Sequence, residues 1–147
     1  MKTRVVAIRL KIPDNTAYTA MTALERLGIA TNEVERAEIW VFEMEGEGEG
    51  LLKDVAHNET LFNPNKHTLR ELPGRSPGEG EVWIEELGDD PDLRTRLGGK
   101  VIPGVLSAKR YVGWRLMDRQ GKPVPKDVAR HAADLLLCNP AIERALL

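Results

Sequence analysis

Sulfur-bearing cross-links, aromatic rings and long apolar runs are all scarce in this chain of 147 residues. Its single cysteine, Cys138, excludes an intrachain disulfide and suits a reducing compartment. That cysteine closes an apolar stretch, which predicts a packing role, with a reactive thiol as the other reading. No segment reaches the roughly 18 apolar residues of a membrane-spanning helix. Met1-Lys2-Thr3-Arg4 runs straight into an alternating segment, without the apolar core of a signal peptide. The expectation is a soluble cytoplasmic protein. Neither sign of charge dominates, since 21 Lys and Arg face 23 Asp and Glu for a formal net charge of −2. Without a clustered basic surface, neither nucleic acid nor an anionic membrane is an expected partner.

The patterns that announce chemistry are missing as well. The three histidines, His57, His67 and His131, form no i, i+4 pair on a helix, and no cysteine stands at metal-ligand spacing. Gly98-Gly99-Lys100 is followed by Val101, which offers no hydroxyl to a magnesium ion, so it is not a phosphate-binding loop. The two serines, Ser76 and Ser107, lack a nucleophile elbow. The adjacent acids Glu85-Glu86 and Asp89-Asp90 read as solvated surface rather than as an acid–base pair. The alternating run Glu45 to Gly50 reads as a solvated turn or floppy loop, because it lacks the carboxylate spacing of a calcium loop. No catalytic, cofactor-binding or metal-ligating residue is nominated.

What the chain does contain is a repeat. Lys53-Asp54-Val55-Ala56 recurs as Lys126-Asp127-Val128-Ala129, and each copy leads through an apolar stretch to an Asn-Pro pair, Asn63-Pro64 and Asn139-Pro140. Two copies of one supersecondary unit do what a homodimer of half-length chains would do, which favours a scaffold over a one-pocket enzyme. From the repeated lysine to the asparagine is 10 positions in the first copy and 13 in the second, close to one added helical turn of about 3.6 residues.

Periodicity predicts a strand at Val5–Ile12, and a helix from an Asp14, Asn15 or Thr16 cap to a Gly28 stop. A second extended stretch, a long strand or tight hairpin, covers Val34–Met44, and a short helix covers Leu51–Phe62. After a linker at Leu72–Gly80 come a strand at Glu81–Leu87 and a brief helix capped by Asp90 with Pro91 in first position. A strand then ends at Met117, broken near Pro103-Gly104. The last helix, opened by Pro125, has the apolar stripe Val128, Ala132, Leu135 and Leu136. The fold class is α+β: two tandem split β-α-β units, 1–74 and 75–147, with antiparallel sheets and helices on one face. Units of this size share a core or a continuous sheet, forming an intramolecular pseudo-dimer.

In an extended Val34–Met44, Ala37, Ile39 and Val41 share one face, and Trp40, Phe42 and Met44 share the other. Apolar residues on both faces predict burial on both sides. Matching Ala37 to Ala108 sets Tyr111 against Trp40, so Trp40, Phe42, Met44, Tyr111 and Met117 become candidate interface residues on a face the helices leave open. That face serves either the contact between the units or the docking of other proteins or a second copy. Base stacking, the third use, would need a basic-aromatic motif that is absent.

Two stretches carry a family resemblance. Asp14 to Ile29, ending Ala23-Leu24-Glu25-Arg26-Leu27-Gly28, and Leu137-Cys138-Asn139-Pro140-Ala141-Ile142-Glu143 resemble the first and last helical segments of the PurS family, the small subunit of phosphoribosylformylglycinamidine synthase. The chain is about twice the family's length, as a tandem fusion would be. A Gly-Lys pair of the family's central strand stands here as Ala37-Glu38 and Ala108-Lys109. The resemblance implies a non-catalytic subunit without cofactor that bridges a large synthetase subunit and a glutaminase subunit in purine biosynthesis. The alternatives are a regulatory module that binds an amino acid or nucleotide, a diverged relative, or a small enzyme.

Overall fold

The computed structural model describes residues 2–88 and 93–147. The elements are β1 (Lys2–Leu10), α1 (Asn15–Arg26), β2 (Glu33–Met44), α2 (Leu51–Ala56), β3 (His67–Leu72), β4 (Glu81–Glu86), α3 (Leu93–Arg96), β5 (Val105–Met117), α4 (Lys126–Ala132), a π-helical segment (Ala133–Leu137) and β6 (Glu143–Leu146). The expected Asp90-Pro91 helix start lies outside the described residues.

Local chemistry accounts for most boundaries. The Asp14 carboxylate accepts the N–H groups of Thr16 and Ala17, at 3.0 and 3.2 Å, two of the donors that a helix start leaves open. It also takes Arg36 Nε at 3.0 Å, tying α1 to β2. Gly28, at φ 87°, ends α1 in the left-handed conformation that side chains disfavour. β2 is one continuous strand, not a hairpin. The Asn-Pro pairs make matching turns. Each asparagine Oδ1 accepts the N–H two residues on, from Asn65 at 2.9 Å and Ala141 at 3.1 Å. Each asparagine N–H donates to the side chain four residues on, His67 Nδ1 at 3.0 Å and Glu143 Oε1 at 2.8 Å. Each carbonyl accepts from residues three and four on, and an edge strand follows.

Two helices depart from the expected pattern. α2 stops at Ala56, six residues before the expected end at Phe62. Asn58 turns the chain away: its buried side chain donates to the Leu97 carbonyl at 3.2 Å and accepts the Thr60 N–H at 3.0 Å, a local alternative to helical bonding. The last helix passes from α to π winding at Ala133, with Cys138 N–H bonded to the Ala133 carbonyl at 3.0 Å. The wider turn shifts the apolar stripe, so Ala129, Ala132, Ala133 and Leu137 point inward while the expected Leu135 and Leu136 are exposed.

Six strands form one antiparallel sheet in the order β3-β1-β2-β5-β4-β6, with the helices on one face. Taken as triplets, the strands read third-first-second and then second-first-third. Register is specified by alternation: Val6 faces Trp40 across β1–β2, and Val82 faces Trp114 across β4–β5.

The compact units cut across the expected boundary at residue 74. One comprises Met1–Ile12, Glu38–Arg75 and Asp89–Arg110; the other comprises Pro13–Ala37, Ser76–Gly88 and Tyr111–Leu147. The core of unit 1 gathers Val6, Ile8, Trp40, Phe42, Met44, Leu51, Val55 and Leu61 with Leu97, Ile102 and Ala108 from the second half of the chain. The core of unit 2 gathers Val82, Ile84, Trp114, Leu116, Ala129, Ala132 and Leu137 with Ala17, Ala20, Leu24 and Ile29 from the first. Each sequence half thus gives its first helix to the unit that holds the other half's first strand.

A fragment ending at residue 74 therefore lacks Leu97 and Ile102 and leaves the apolar stripe of α1 uncovered. It is expected to be unfolded or aggregated alone, and to regain cooperative thermal unfolding when mixed with residues 75–147. Circular dichroism and light scattering check this; a monomeric, cooperatively folded 1–74 fragment would contradict it.

Candidate functional site

The candidate interface residues divide between the two faces of the sheet. Trp40, Phe42 and Met44 lie on the helix-covered face inside the core of unit 1 and are at most 3 % exposed. The Trp40 and Phe42 rings stack at 6.0 Å, and Trp40 Nε1 donates to Glu38 at 2.7 Å, which also pairs with Arg110 at 3.2 Å. Tyr111 is on the opposite face of unit 2, buried against Trp83 with ring centroids 5.7 Å apart. Met117 is half-buried at the end of β5, bridged to Pro123. The match of Ala37 to Ala108 is one residue out. The faces require Trp40, Phe42 and Met44 to correspond to Val112, Trp114 and Leu116, and in a strand a shift of one residue exchanges the faces. Burial on both faces does hold, since Ile39 is as buried as Trp40 and Val5 and Ala7 accompany it on the helix-free side of unit 1.

A polar cleft opens at one end of unit 1. Lys2, Arg4, Arg75, Glu47, Glu49 and Glu71 supply the charges around a cavity of about 720 Å³. Its fixed point is Arg4. The guanidinium holds Glu71 in a two-armed ion pair, through Nε and through Nη2 at 2.7 Å. It also donates from Nη1 to the carbonyls of Glu47 and Gly48, at 3.0 and 2.6 Å. Glu45 N–H meets the Gly104 carbonyl at 2.7 Å, and Lys2 reaches the Glu47 carboxylate at 3.1 Å. Of the two readings of the Glu-Gly run, the structure has the solvated turn: the run is exposed but held by its neighbours, with Gly46 and Gly48 taking the positive φ its turns need. The hydrogen bond from Arg4 lowers the Glu71 pKa against the opposing effect of burial, and Glu71 in turn raises that of Arg4.

An apolar groove runs along unit 2 between α1 and the π-helical segment. Asn15, Thr16, Thr19, Ala20 and Ala23 form one wall, Leu136 and Leu137 the other, and Trp114 completes the lining of a cavity of about 410 Å³. Cys138, just beyond, is half-buried against the core; burial, then Glu143 and Asp134, push its thiol pKa up and so favour the protonated form. Neither cavity is legible in the sequence. The traces were the Arg4 and Glu71 charges inside apolar strands and the small-residue face of α1. Among the described residues no group of three or more histidine, cysteine or acidic side chains is placed to hold a metal ion, and no helix is long and apolar enough to cross a membrane.

The Arg4–Glu71 pair predicts a pH dependence. Because the folded pKa of Glu71 is lowered, its contribution is complete above the ordinary carboxylate range and is lost as pH falls through the lowered value. Glu71→Gln is expected to cost about 1 kcal/mol at neutral pH, at the low end for a charge-assisted bond because the carboxylate is one-third exposed. Urea denaturation should show this gap closing in strong acid; a gap that is constant with pH would contradict the role of the ion pair.

No established family profile matches the chain, and no curated protein is significantly similar to it.

Proposed function

We propose that this protein is a PurS-like assembly subunit, two tandem units joined as an intramolecular pseudo-dimer. In this reading it has no active site of its own and bridges the synthetase and glutaminase subunits of phosphoribosylformylglycinamidine synthase in the cytoplasm. The observation that carries the reading is the pair of matching Asn-Pro turns. Asn63 and Asn139 have the same set of hydrogen bonds and each launches an edge strand, and the second turn belongs to the segment that resembles the family. The mirrored strand order supports the same duplication. The resemblance of Asp14 to Ile29 gains support from the Asp14 cap and the Gly28 stop, which bound α1 as the resemblance implies.

A regulatory role has one specific observation in its favour. Beyond the Lys2–Glu47 ion pair, the polar cleft is lined by a cation at Arg75 and a carboxylate at Glu49, which suits a zwitterion such as an amino acid. The two readings separate in one reconstitution with the same organism's synthetase and glutaminase subunits. The assembly reading expects co-elution on size exclusion and glutamine-dependent turnover that requires this chain. Full turnover without the chain, and no co-elution in the presence of glutamine and nucleotide, would overturn it.

A further inference from the structure

We propose that the Asn63–His67 turn is a proton-operated latch on edge strand β3, closed by a neutral imidazole and opened when that ring takes up a proton. The bond that closes the turn has a fixed direction. The Asn63 N–H can only donate, so His67 Nδ1, at 3.0 Å, must accept, and the ring carries its hydrogen on Nε2. A protonated imidazole has a hydrogen on both nitrogens and no lone pair left to offer. Protonation therefore sets two hydrogens against each other, and the bond is lost. His57 has the opposite arrangement: its Nδ1 stands 2.7 Å from the Lys53 carbonyl, which can only accept, so a proton there keeps the contact. His131 is exposed on α4. Of the three histidines, His67 alone is held by a bond that excludes its charged form.

The second copy of the turn shows what is particular to the first. The backbone and asparagine bonds match, but the acceptor for the Asn139 N–H is the Glu143 carboxylate, at 2.8 Å. Either acceptor fails once protonated. A free carboxylate of this kind takes up its proton near about pH 4.3, and a free imidazole near about pH 6.5. In mild acid, then, the first turn responds and the second does not. The titratable groups around His67 are Lys11 just after β1, Lys66 beside it, Lys53, Asp54 and His57 from α2 and its end, Glu59 in the following loop, and Glu71 farther along β3. Lys11 Nζ donates to the Pro64 carbonyl at 2.5 Å, and Glu71 is held by Arg4. The ring itself packs on Phe62 with centroids 6.0 Å apart, and among the described residues no carboxylate is bonded to it to offset the loss. His67 is the first residue of β3, a strand with β1 on one side only, where it pairs with Leu10. Opening the latch frees the start of β3, while its far end stays fastened by Arg4 and Glu71. This device is independent of any role in assembly.

The test is NMR on the full, isotope-labelled chain. Ring nitrogen shifts report which nitrogen of His67 carries the hydrogen, and amide exchange, corrected for the intrinsic rate at each pH, reports the latch. The expected result is an Nε2–H ring at about pH 8 and an Asn63 amide whose protection falls at least about fivefold by about pH 5, in step with the His67 ring signal. The Asn139 amide keeps its protection over the same range. His67→Glu, which copies the second turn, and His67→Gln, which offers a neutral oxygen at every pH, each keep Asn63 protected throughout. His131→Gln leaves the acid-induced loss as it was. An Nδ1–H ring at about pH 8, Asn63 protection that does not change with pH, an equal loss at Asn139, or a loss that persists in a folded His67→Gln or His67→Glu protein would each overturn the proposal.

Discussion

The apolar stripe of a helix must be covered, and in this protein the first helix of each sequence half finds its cover in a core founded on the other half's first strand. Ala17, Ala20 and Leu24 of α1 pack with Val82, Ile84, Trp114 and Leu116, while Leu97 beside α3 packs with Val6, Ile8 and Phe42. This one constraint organises the remainder. It requires β2 and β5 to be the longest strands, since each contributes to both units, and it explains why both carry apolar residues along most of their length. Each of the two units is assembled from both halves of the sequence.

Sequence reasoning reached features whose cause is local. Asp14 and Gly28 bracket α1 because capping chemistry acts within one turn, and the Asn-Pro pairs stand out as matching local features because their hydrogen bonds span at most four residues. The features it missed depend on partners far along the chain. α2 ends early because Asn58 reaches Leu97, thirty-nine residues away. The inward stripe of the last helix moves because a π turn alters the periodicity on which the stripe was read. Tyr111 went to the wrong face through a slip of one residue in matching the copies, the smallest error a strand alignment can contain and the one with the largest effect. The polar cleft required β1, β3 and the Glu-Gly loop to converge, which no spacing in the sequence states.

The surfaces left by this arrangement differ in chemistry. Unit 1 presents a charged cleft in which Arg4 is committed to Glu71 and to the loop carbonyls, so the free capacity lies at its periphery. Unit 2 presents an uncharged groove over Trp114. Trp40 and Phe42, which the sequence set on an open face, are instead buried in the unit 1 core, and Tyr111 is buried in unit 2. A binding role for this protein is therefore better sought at the charged cleft, the uncharged groove and the edge strands than at Trp40 or Phe42.

The most direct test of the shared-core account is hydrogen exchange by mass spectrometry on Leu97→Ala. Leu97 is 1 % exposed, so its truncation should cost about 2–5 kcal/mol. The account predicts faster exchange in Lys2–Leu10 and His67–Leu72, which belong to the other half of the sequence, and unchanged protection in Glu143–Leu146, which belongs to the same half as Leu97. Loosening of β4 and β6 with β1 and β3 still protected would show that each half folds around its own core, and would contradict the account.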